Sequence, residues 1–102
     1  MTIEEIRKIN EASNYAITEH AKRRMSERNI KLKDVISCVS GGKIIESYMD
    51  DFPMPSYLIL GDDSAGHYMH VVISTDGTLI YLITAYHPSL SIWNEDYTMR
   101  RK

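Results

Sequence analysis

A row of basic side chains near residue 20 has the residue types and the spacing that suit a phosphate group. His20, Arg24 and Arg28 follow one another at intervals of four, so in a helix they lie along one flank. Each guanidinium can donate two parallel hydrogen bonds to phosphate oxygens. Arg23 adds a further positive charge beside this row. The spacing therefore predicts a helix flank that binds phosphate.

A second set of polar side chains occurs in two later segments whose hydrophobicity has a period of two. In residues 67–74 and 79–86, alternation of this kind is typical of strands that bury one face. His70, Thr84 and Tyr86 then share the more polar face. Histidine is suited to either proton-transfer role because its unperturbed pKa lies near neutrality. We therefore predict that chemistry takes place on this open face of the sheet.

The register of the hairpin between these two segments decides which side chains meet. A two-residue turn would put His70 across from Ile83, whereas a three-residue loop pairs Ser74 with Thr78 and puts His70 across from Leu82. The three-residue loop also collects the apolar residues on one face. Because a slip of one residue would mix the two sets, the hydrophobic pattern favours the three-residue loop.

Each of these side chains also has a purely structural interpretation. A histidine on a central strand, such as His70, is often half-buried with its hydrogen bonds satisfied, and His20 fits an ordinary surface position. The arginines can lay their alkyl stems over the core while their charges stay in water. Tyr86 and Trp93 can pack as aromatic caps at the end of the sheet. The pattern alone leaves both interpretations open.

Three helices are predicted before residue 43, and they must position the basic row. Thr2–Glu5 has the sequence of a capping box that begins the first helix, which Asn14 ends. The second helix is predicted over Glu19–Arg28, and Asn29 is a good left-handed stop after it. Apolar residues at helical spacing predict a third helix, which the Gly41-Gly42 pair ends: Leu32, Val35, Ile36 and Val39.

From Lys43 onward the hydrophobic period changes to two, and turn-forming residues separate four predicted strands. Tyr15–Ile17 is predicted as a short extended link, and Ser91–Arg101 as a short terminal helix. Helices followed by an antiparallel meander predict an α+β fold, with the N-terminal helices packed on one face of a four-stranded antiparallel sheet. The predicted strands are Lys43–Tyr48, Tyr57–Gly61, His67–Ser74 and Leu79–Tyr86.

Length and composition predict one small globular domain over residues 1–102. The chain is 43% apolar and 25% charged, close to the average for such domains. Its single cysteine, Cys38, excludes an intramolecular disulfide, and the pattern of the four histidines predicts no metal site. No apolar run approaches the roughly 18 residues of a membrane span, so we expect a cytoplasmic protein without membrane contact.

Charge is unevenly distributed along the chain. The formal net charge of −2 and a pI of about 6.0 argue weakly against nucleic-acid binding, since such domains are usually basic. Residues 20–33, however, hold six lysines and arginines against one acid, whereas residues 46–63 hold five acids and neither lysine nor arginine. Because a polyanion responds to the local potential, the average charge does not exclude RNA as a partner.

Several separated motifs resemble those of one known family. The segment TEHAKRRMSERNI at 18–30, followed by DV at 34–35, resembles the pattern T-x-H-A-x-x-R-M-x-x-R-x-I…D-V that opens the domain of unknown function 4258. The resemblance continues through GKIIE at 42–46, HVV at 70–72 and ITAY at 83–86, as far as Trp93. It covers about Ile17 to Arg100, and the motifs occur in order.

That family is similar to the RelE/ParE and BrnT-like toxins, which are small α+β proteins paired with an antitoxin. The resemblance implies a RelE/BrnT-like fold and an RNA endonuclease that needs no metal or cofactor. RNA and a cognate antitoxin are the implied partners, and a homodimer is left open. Two departures from the BrnT-like pattern are Tyr86, where those chains have an arginine, and the low pI.

Carried over by position, the resemblance gives each candidate residue a role. RNA cleavage needs a base for the ribose 2′-hydroxyl, a cation for the phosphate and an acid for the leaving 5′-oxygen. The implied catalytic residues are His20, His70 and Tyr86, and the implied phosphate- or RNA-binding residues are Arg23, Arg24, Arg28, Trp93 and Arg100. This assignment requires imidazoles and guanidiniums to converge on one water-accessible pocket.

Two other functions remain open at this point. A non-catalytic protein-binding domain on the same scaffold is favoured by the acidic segment and by the tyrosine at position 86. A toxin that acts on another target, such as gyrase, follows only from analogy of fold.

Overall fold

The computed structural model describes residues 1–101, with three helices and a five-stranded sheet. The helices are α1 (Ile3–Lys8), α2 (Glu19–Glu27) and α3 (Leu32–Gly41), with a 3-10 turn at Ala12–Asn14. The strands are β1 (Tyr15–Ile17), β2 (Lys43–Tyr48), β3 (Ser56–Asp62), β4 (Tyr68–Thr75) and β5 (Ile80–Tyr86). No helix in this described range is long and apolar enough to cross a membrane.

Hydrogen bonds at the helix ends confirm the predicted capping residues. The Glu5 amide donates to the Thr2 hydroxyl at 3.2 Å, and the Thr2 amide donates to the Glu5 carboxylate at 3.0 Å. After α2, Asn29 adopts a φ of 55°, and the Ile30 amide donates to the Met25 carbonyl at 2.8 Å. This turn directs Met25 and Ile30 into the core.

The first helix is shorter than predicted, because a buried side chain anchors the chain directly after it. α1 ends at Lys8, before the expected stop at Asn14. Asn10 is buried, and its side-chain amide donates to the Ile36 carbonyl at 3.0 Å and to the Ser40 hydroxyl at 3.1 Å. These bonds to α3 fix the chain in a direction that a longer helix would not follow.

The sheet has five strands in the order β1-β5-β4-β3-β2, so the predicted four-stranded antiparallel sheet is wrong. The α+β class is confirmed. The additional strand is Tyr15–Ile17, expected as a link, which pairs in parallel with Ile80–Leu82 of β5. Three residues are too few to show a period, and their pairing depends on where β5 lies. The other neighbours in the sheet are antiparallel.

The terminal helix predicted for Ser91–Arg101 does not form. The segment makes turns and an isolated antiparallel bridge between Trp93 and Arg100. The side chain of Asn94 accepts a hydrogen bond from the Thr98 amide at 3.1 Å. Asparagine side chains that occupy backbone donors in this way compete with helix formation.

In the β4–β5 hairpin, His70 pairs with Tyr86 and not with Leu82, so the predicted register is wrong. One cause is Asp76, whose carboxylate accepts two backbone amides of the connecting loop at 2.8 and 2.9 Å and thereby closes a longer turn. The other is a bulge at Ile83, where the register shifts between two successive pairs.

The two faces of the sheet are covered differently. The helices pack on one face of the sheet. The side chains of that face complete the core: Ile59, Met69, Val71, Ile73, Ile80, Leu82 and Ala85. The opposite face, here the second face, carries His70, Thr84 and Tyr86 together, as predicted. The chain after β5 covers part of the second face, where the Trp93 ring packs on His70.

Replacing Gly61 tests the close approach of α3 to β3. A Cβ on Gly61 would lie 2.2 Å from the Cys38 carbonyl oxygen, a backbone atom that cannot give way without moving the helix. We expect Gly61→Ala to lower the free energy of unfolding by about 1–3 kcal/mol. Gly41→Ala is the matched control, since a Cβ there meets nothing within 4 Å. Urea unfolding curves that shift equally for both variants would contradict this packing.

Candidate functional site

His70 lies buried on the second face with both ring nitrogens engaged. Its Nδ1 is 3.1 Å from the Tyr86 hydroxyl, and its Nε2 is 2.9 Å from the Tyr97 carbonyl oxygen. A carbonyl oxygen can only accept, so Nε2 carries the hydrogen. In the neutral ring, Nδ1 then accepts the hydrogen bond that the Tyr86 hydroxyl donates. This network assigns the tautomer.

Burial lowers the pKa of His70 below its ordinary value of 6.5, because the imidazolium would lose its hydration. The hydrogen bond to the Tyr97 carbonyl and the negative charge of Glu46 oppose this shift, while the positive charge of Arg100 adds to it. The net direction is downward, so His70 is neutral at neutral pH.

Two aromatic rings enclose the imidazole. The Trp93 ring packs against it edge to face with 4.4 Å between centroids, and the Tyr86 ring does so at 5.2 Å. Trp93 is itself buried, and the Arg100 guanidinium lies 4.7 Å from the centre of the Trp93 ring. The C-terminal segment therefore closes over His70.

A pair of opposite charges borders this aromatic cluster. The Nη1 atom of Arg100 is 2.9 Å from both carboxylate oxygens of Glu46, and the Tyr48 hydroxyl donates to the same carboxylate. The Arg100 side chain is 54% exposed, so solvent limits the contribution of the ion pair to stability to at most about 1 kcal/mol. The pair serves to hold a guanidinium beside Tyr86.

Tyr86 connects the buried imidazole to this charged border. Its side chain is partly exposed. Burial raises the pKa of the Tyr86 hydroxyl, and the negative charge of Glu46 adds to the effect, whereas the positive charges of Arg100 and Arg28 lower it. Two guanidiniums therefore act on the hydroxyl from the surrounding surface.

Arg28 extends from the end of α2 to the sheet. Its Nη1 donates to the Thr84 hydroxyl at 3.2 Å and to the Ala85 carbonyl at 2.9 Å. β1 pairs with β5 only as far as Leu82, so Arg28 caps a carbonyl on the edge of β5 beyond the end of β1. This places its charge beside the end of β5 that carries Tyr86.

The remaining basic residues of the predicted row lie exposed on α2. Arg24 forms an ion pair with Glu27 at 3.7 Å, which offsets part of the repulsion within the row. Among residues 1–101, no hydrogen bond or ion pair connects His20, Arg23 or Arg24 to the His70 cluster. Their roles stay predictions.

The expected water-accessible pocket is present only in part. The structure brings His70, Tyr86, Trp93 and Arg100 together, with Arg28 at the border. The expectation that the His70 ring is open to water is wrong, because the C-terminal segment covers it completely. The partly exposed Tyr86 links the imidazole to the surface.

Three groups of this site were not predicted from the sequence. Glu46 and Tyr48 lie two residues apart in β2, and that spacing on a predicted strand was a usable signal that they share a face. The third group is a backbone atom, the Tyr97 carbonyl, in a residue with a φ of 61°. A backbone acceptor in an irregular segment has no signature in the sequence.

Cys38 belongs to the apolar core. Its side chain is fully buried, with the sulfur 3.4 Å from the Met69 carbonyl oxygen, and burial raises the pKa of its thiol to about 12. Within the described chain, no group of three or more His, Cys, Asp or Glu side chains is placed to hold a metal ion.

The chain matches the family described as Domain of unknown function (DUF4258) over residues 17–87. It therefore belongs to this family, which confirms that part of the resemblance seen in the sequence. The matched region contains His70 and Tyr86, whereas Trp93 and Arg100 follow it. Neither the curated proteins nor the solved structures gave a significant match.

The buried histidine should make stability depend on pH. Because the pKa of His70 is lowered in the fold, the unfolded chain binds the proton more readily, and the free energy of unfolding falls as the pH drops below 6.5. His70→Gln removes the titrating group, so we expect a flatter profile between about pH 7 and about pH 5. Urea unfolding at several pH values across that range measures the free energy of unfolding.

The control for this experiment is His20→Gln, which removes an exposed imidazole. Its profile should run parallel to that of the unaltered chain. If the stability profile of His70→Gln also runs parallel to that of the unaltered chain, His70 is not the group that causes the loss of stability at low pH.

Proposed function

We propose that this chain is a metal-independent RNA endonuclease, as its resemblance to RelE- and BrnT-like toxins implies. One observation carries the proposal: the Tyr86 hydroxyl donates to the buried, neutral imidazole of His70 at 3.1 Å. A partly exposed hydroxyl in this position can take a proton from a substrate and pass its own proton inward. The imidazole then needs no contact with water or substrate.

In the proposed first step, the ribose 2′-hydroxyl gives its proton to the Tyr86 oxygen while the Tyr86 proton moves to Nδ1 of His70. The 2′-oxygen bonds to the adjacent phosphorus, and the bond to the 5′-oxygen breaks. His70 becomes an imidazolium whose Nε2–H still donates to the Tyr97 carbonyl. Burial lowers its pKa and disfavours this form, whereas the hydrogen bond to Tyr97 and the negative charge of Glu46 favour it, so the imidazolium is a transient proton acceptor. His70 acts through Tyr86 as a positioning residue.

The developing negative charge on the phosphate requires cations nearby. Arg28 bonds to the Ala85 carbonyl next to Tyr86, and Arg100 lies over Trp93 at the border of the cluster, which supports both as the phosphate ligands. The resemblance assigns the protonation of the leaving 5′-oxygen to His20 and the binding of the RNA backbone to Arg23 and Arg24. His20 precedes Arg28 by eight residues, about 12 Å along the helix, so the strand has to extend along α2 for both side chains to contact it. Trp93 supports the site from inside, because it is buried beneath Arg100.

The proposed setting is a type II toxin–antitoxin pair in the cytoplasm, with a protein antitoxin as partner and a homodimer as an open alternative. The tyrosine at position 86, where BrnT-like chains carry an arginine, then has a role of its own. It replaces a phosphate-binding charge with a proton carrier, and Arg100 supplies a charge beside it.

The second candidate is a non-catalytic protein-binding domain on the same scaffold. A specific observation favours it: the C-terminal segment seals His70 and presents three exposed apolar side chains, Leu90, Ile92 and Met99. An apolar surface of this kind suits contact with another protein.

Tyr86→Phe separates the two candidates, because it removes one oxygen atom and keeps the ring against His70. We expect RNA cleavage by the purified protein, in the presence of a chelator, to fall by about 100-fold or more. Tyr81→Phe is the matched control on the same strand, since its hydroxyl bonds only to exposed Asp76 among the described residues. Cleavage should persist in this control.

Two results would contradict different parts of the proposal. Equal cleavage by Tyr86→Phe and the unaltered chain would contradict the proton relay through Tyr86 but not the endonuclease activity. No cleavage by the unaltered chain, together with harmless induced expression, would favour the protein-binding domain.

A further inference from the structure

Two depressions meet at one end of the sheet, next to the Tyr86 site, with which they share Arg28 and Tyr97. The first, here the cleft, has a volume of about 440 Å³ and is lined by aromatic and imidazole rings. The second, here the basin, has a volume of about 320 Å³ and is lined mainly by charged side chains. His67 and His87 line both, so the cleft and the basin share a wall.

The cleft presents ring surfaces to solvent. The Tyr68 and Tyr97 rings contact each other with 4.9 Å between centroids, and 54% of Tyr68 is exposed. The His67 and His87 rings lie edge to face across the cleft at 6.4 Å. Exposed rings of this kind offer stacking surfaces to an unpaired base, whatever its sequence.

The basin concentrates positive charge beside those rings. Arg28, Lys31 and Lys33 line it, together with the carboxylates of Asp34 and Asp63. Three cations against two carboxylates leave a positive excess in a protein whose net charge is −2.

Internal hydrogen bonds already occupy the two carboxylates. Asp34 accepts from the Lys31 amide at 2.9 Å and from the Ser64 amide at 3.1 Å. Asp63 accepts from the Ala65 and His67 amides, both at 2.9 Å. These bonds hold the pKa of both carboxyl groups below the usual value, although burial opposes the shift. Both carboxylates therefore stay ionised and offset part of the positive charge, but among the described residues Asp63 pairs with His67 and His87, and neither carboxylate forms an ion pair with Lys31, Lys33 or Arg28.

Two other depressions of the described surface lack this combination. The one beside Lys43 is also lined by Asp62 and Asp96, which oppose an anion. The groove between β1 and β5 is lined by apolar and uncharged residues.

We propose that the cleft and the basin together bind one nucleotide of a single-stranded nucleic acid. The base stacks on Tyr68, and the phosphate lies against Lys31, Lys33 and Arg28. Arg28 also bonds to β5 next to Tyr86, so a strand held here continues towards the proposed cleavage site. The choice of RNA as the strand rests on the proposed function, whereas the nucleotide site does not.

Binding of a labelled 2′-O-methyl RNA octamer tests the site, because this strand cannot be cleaved through its 2′-oxygen. Tyr68→Leu should weaken binding about 5- to 100-fold, while Tyr68→Phe, which keeps the stacking ring, should bind normally. Phe52→Ala is the control for loss of an exposed ring, since Phe52 is 94% exposed elsewhere on the surface. Fluorescence anisotropy measures the affinities, and melting curves verify folding.

The salt dependence tests the basin. Replacing Lys31 and Lys33 together by Gln should flatten the slope of log affinity against log salt by about 0.7 for each lost phosphate contact. The control removes two exposed lysines elsewhere, with Lys8→Gln and Lys43→Gln. Equal binding by test and control variants would overturn the nucleotide site.

The failure of this site and the failure of the proposed enzyme are distinguishable. Normal binding without cleavage of ordinary RNA by the unaltered chain would overturn the endonuclease alone. Equal affinity for a DNA octamer would support the nucleotide site and extend it to both kinds of strand.

Discussion

The two hydrogen bonds of the buried His70 imidazole constrain the whole second face of the sheet. A buried polar atom without a partner costs about 1–3 kcal/mol, so the ring requires a donor on one side and an acceptor on the other. β5 supplies the donor through Tyr86, and the C-terminal segment supplies the acceptor through the Tyr97 carbonyl. The His70 side chain thereby fixes both the register of β5 against β4 and the position of the C-terminal segment.

This constraint explains the conformation of the irregular segment after β5. Tyr97 adopts a positive φ, which is uncommon for a residue with a Cβ, and its carbonyl meets His70 in that conformation. The Trp93–Arg100 bridge and the Glu46–Arg100 ion pair hold the same segment against β2. The charged border of the site therefore depends on the imidazole beneath it.

Much of the fold could be predicted because its signals are local. The capping box at Thr2–Glu5, the left-handed Asn29 and the bounds of β2 each depend on a few neighbouring residues. β1 could not be recognised, because three residues become a strand only when β5 lies beside them. The β4–β5 register was wrong because the Asp76 loop and the Ile83 bulge both change the alignment without changing the hydrophobic pattern.

In the candidate site, too, the features with local sequence signals could be predicted, and those that depend on distant segments could not. The predicted alternation placed His70 and Tyr86 on one face, but it also put Ile80 and Leu82 there, which the bulge at Ile83 turns to the core face. It carried no information on what covers that face, because the segment with Trp93 and Tyr97 has no periodic pattern. The spacing of His20 and Arg28 placed both on α2 but did not show that Arg28 alone of that row bonds to β5 among the described residues.

The short β1 leaves part of a sheet border without a neighbouring strand, and exposed borders of that kind invite strands from other molecules to join. Arg28 already occupies the Ala85 carbonyl there. An incoming strand would have to displace the guanidinium, and the arginine would then be lost from its place beside the lysines. Strand pairing at this border would therefore change the charge of the neighbouring basin, because both surfaces share one side chain.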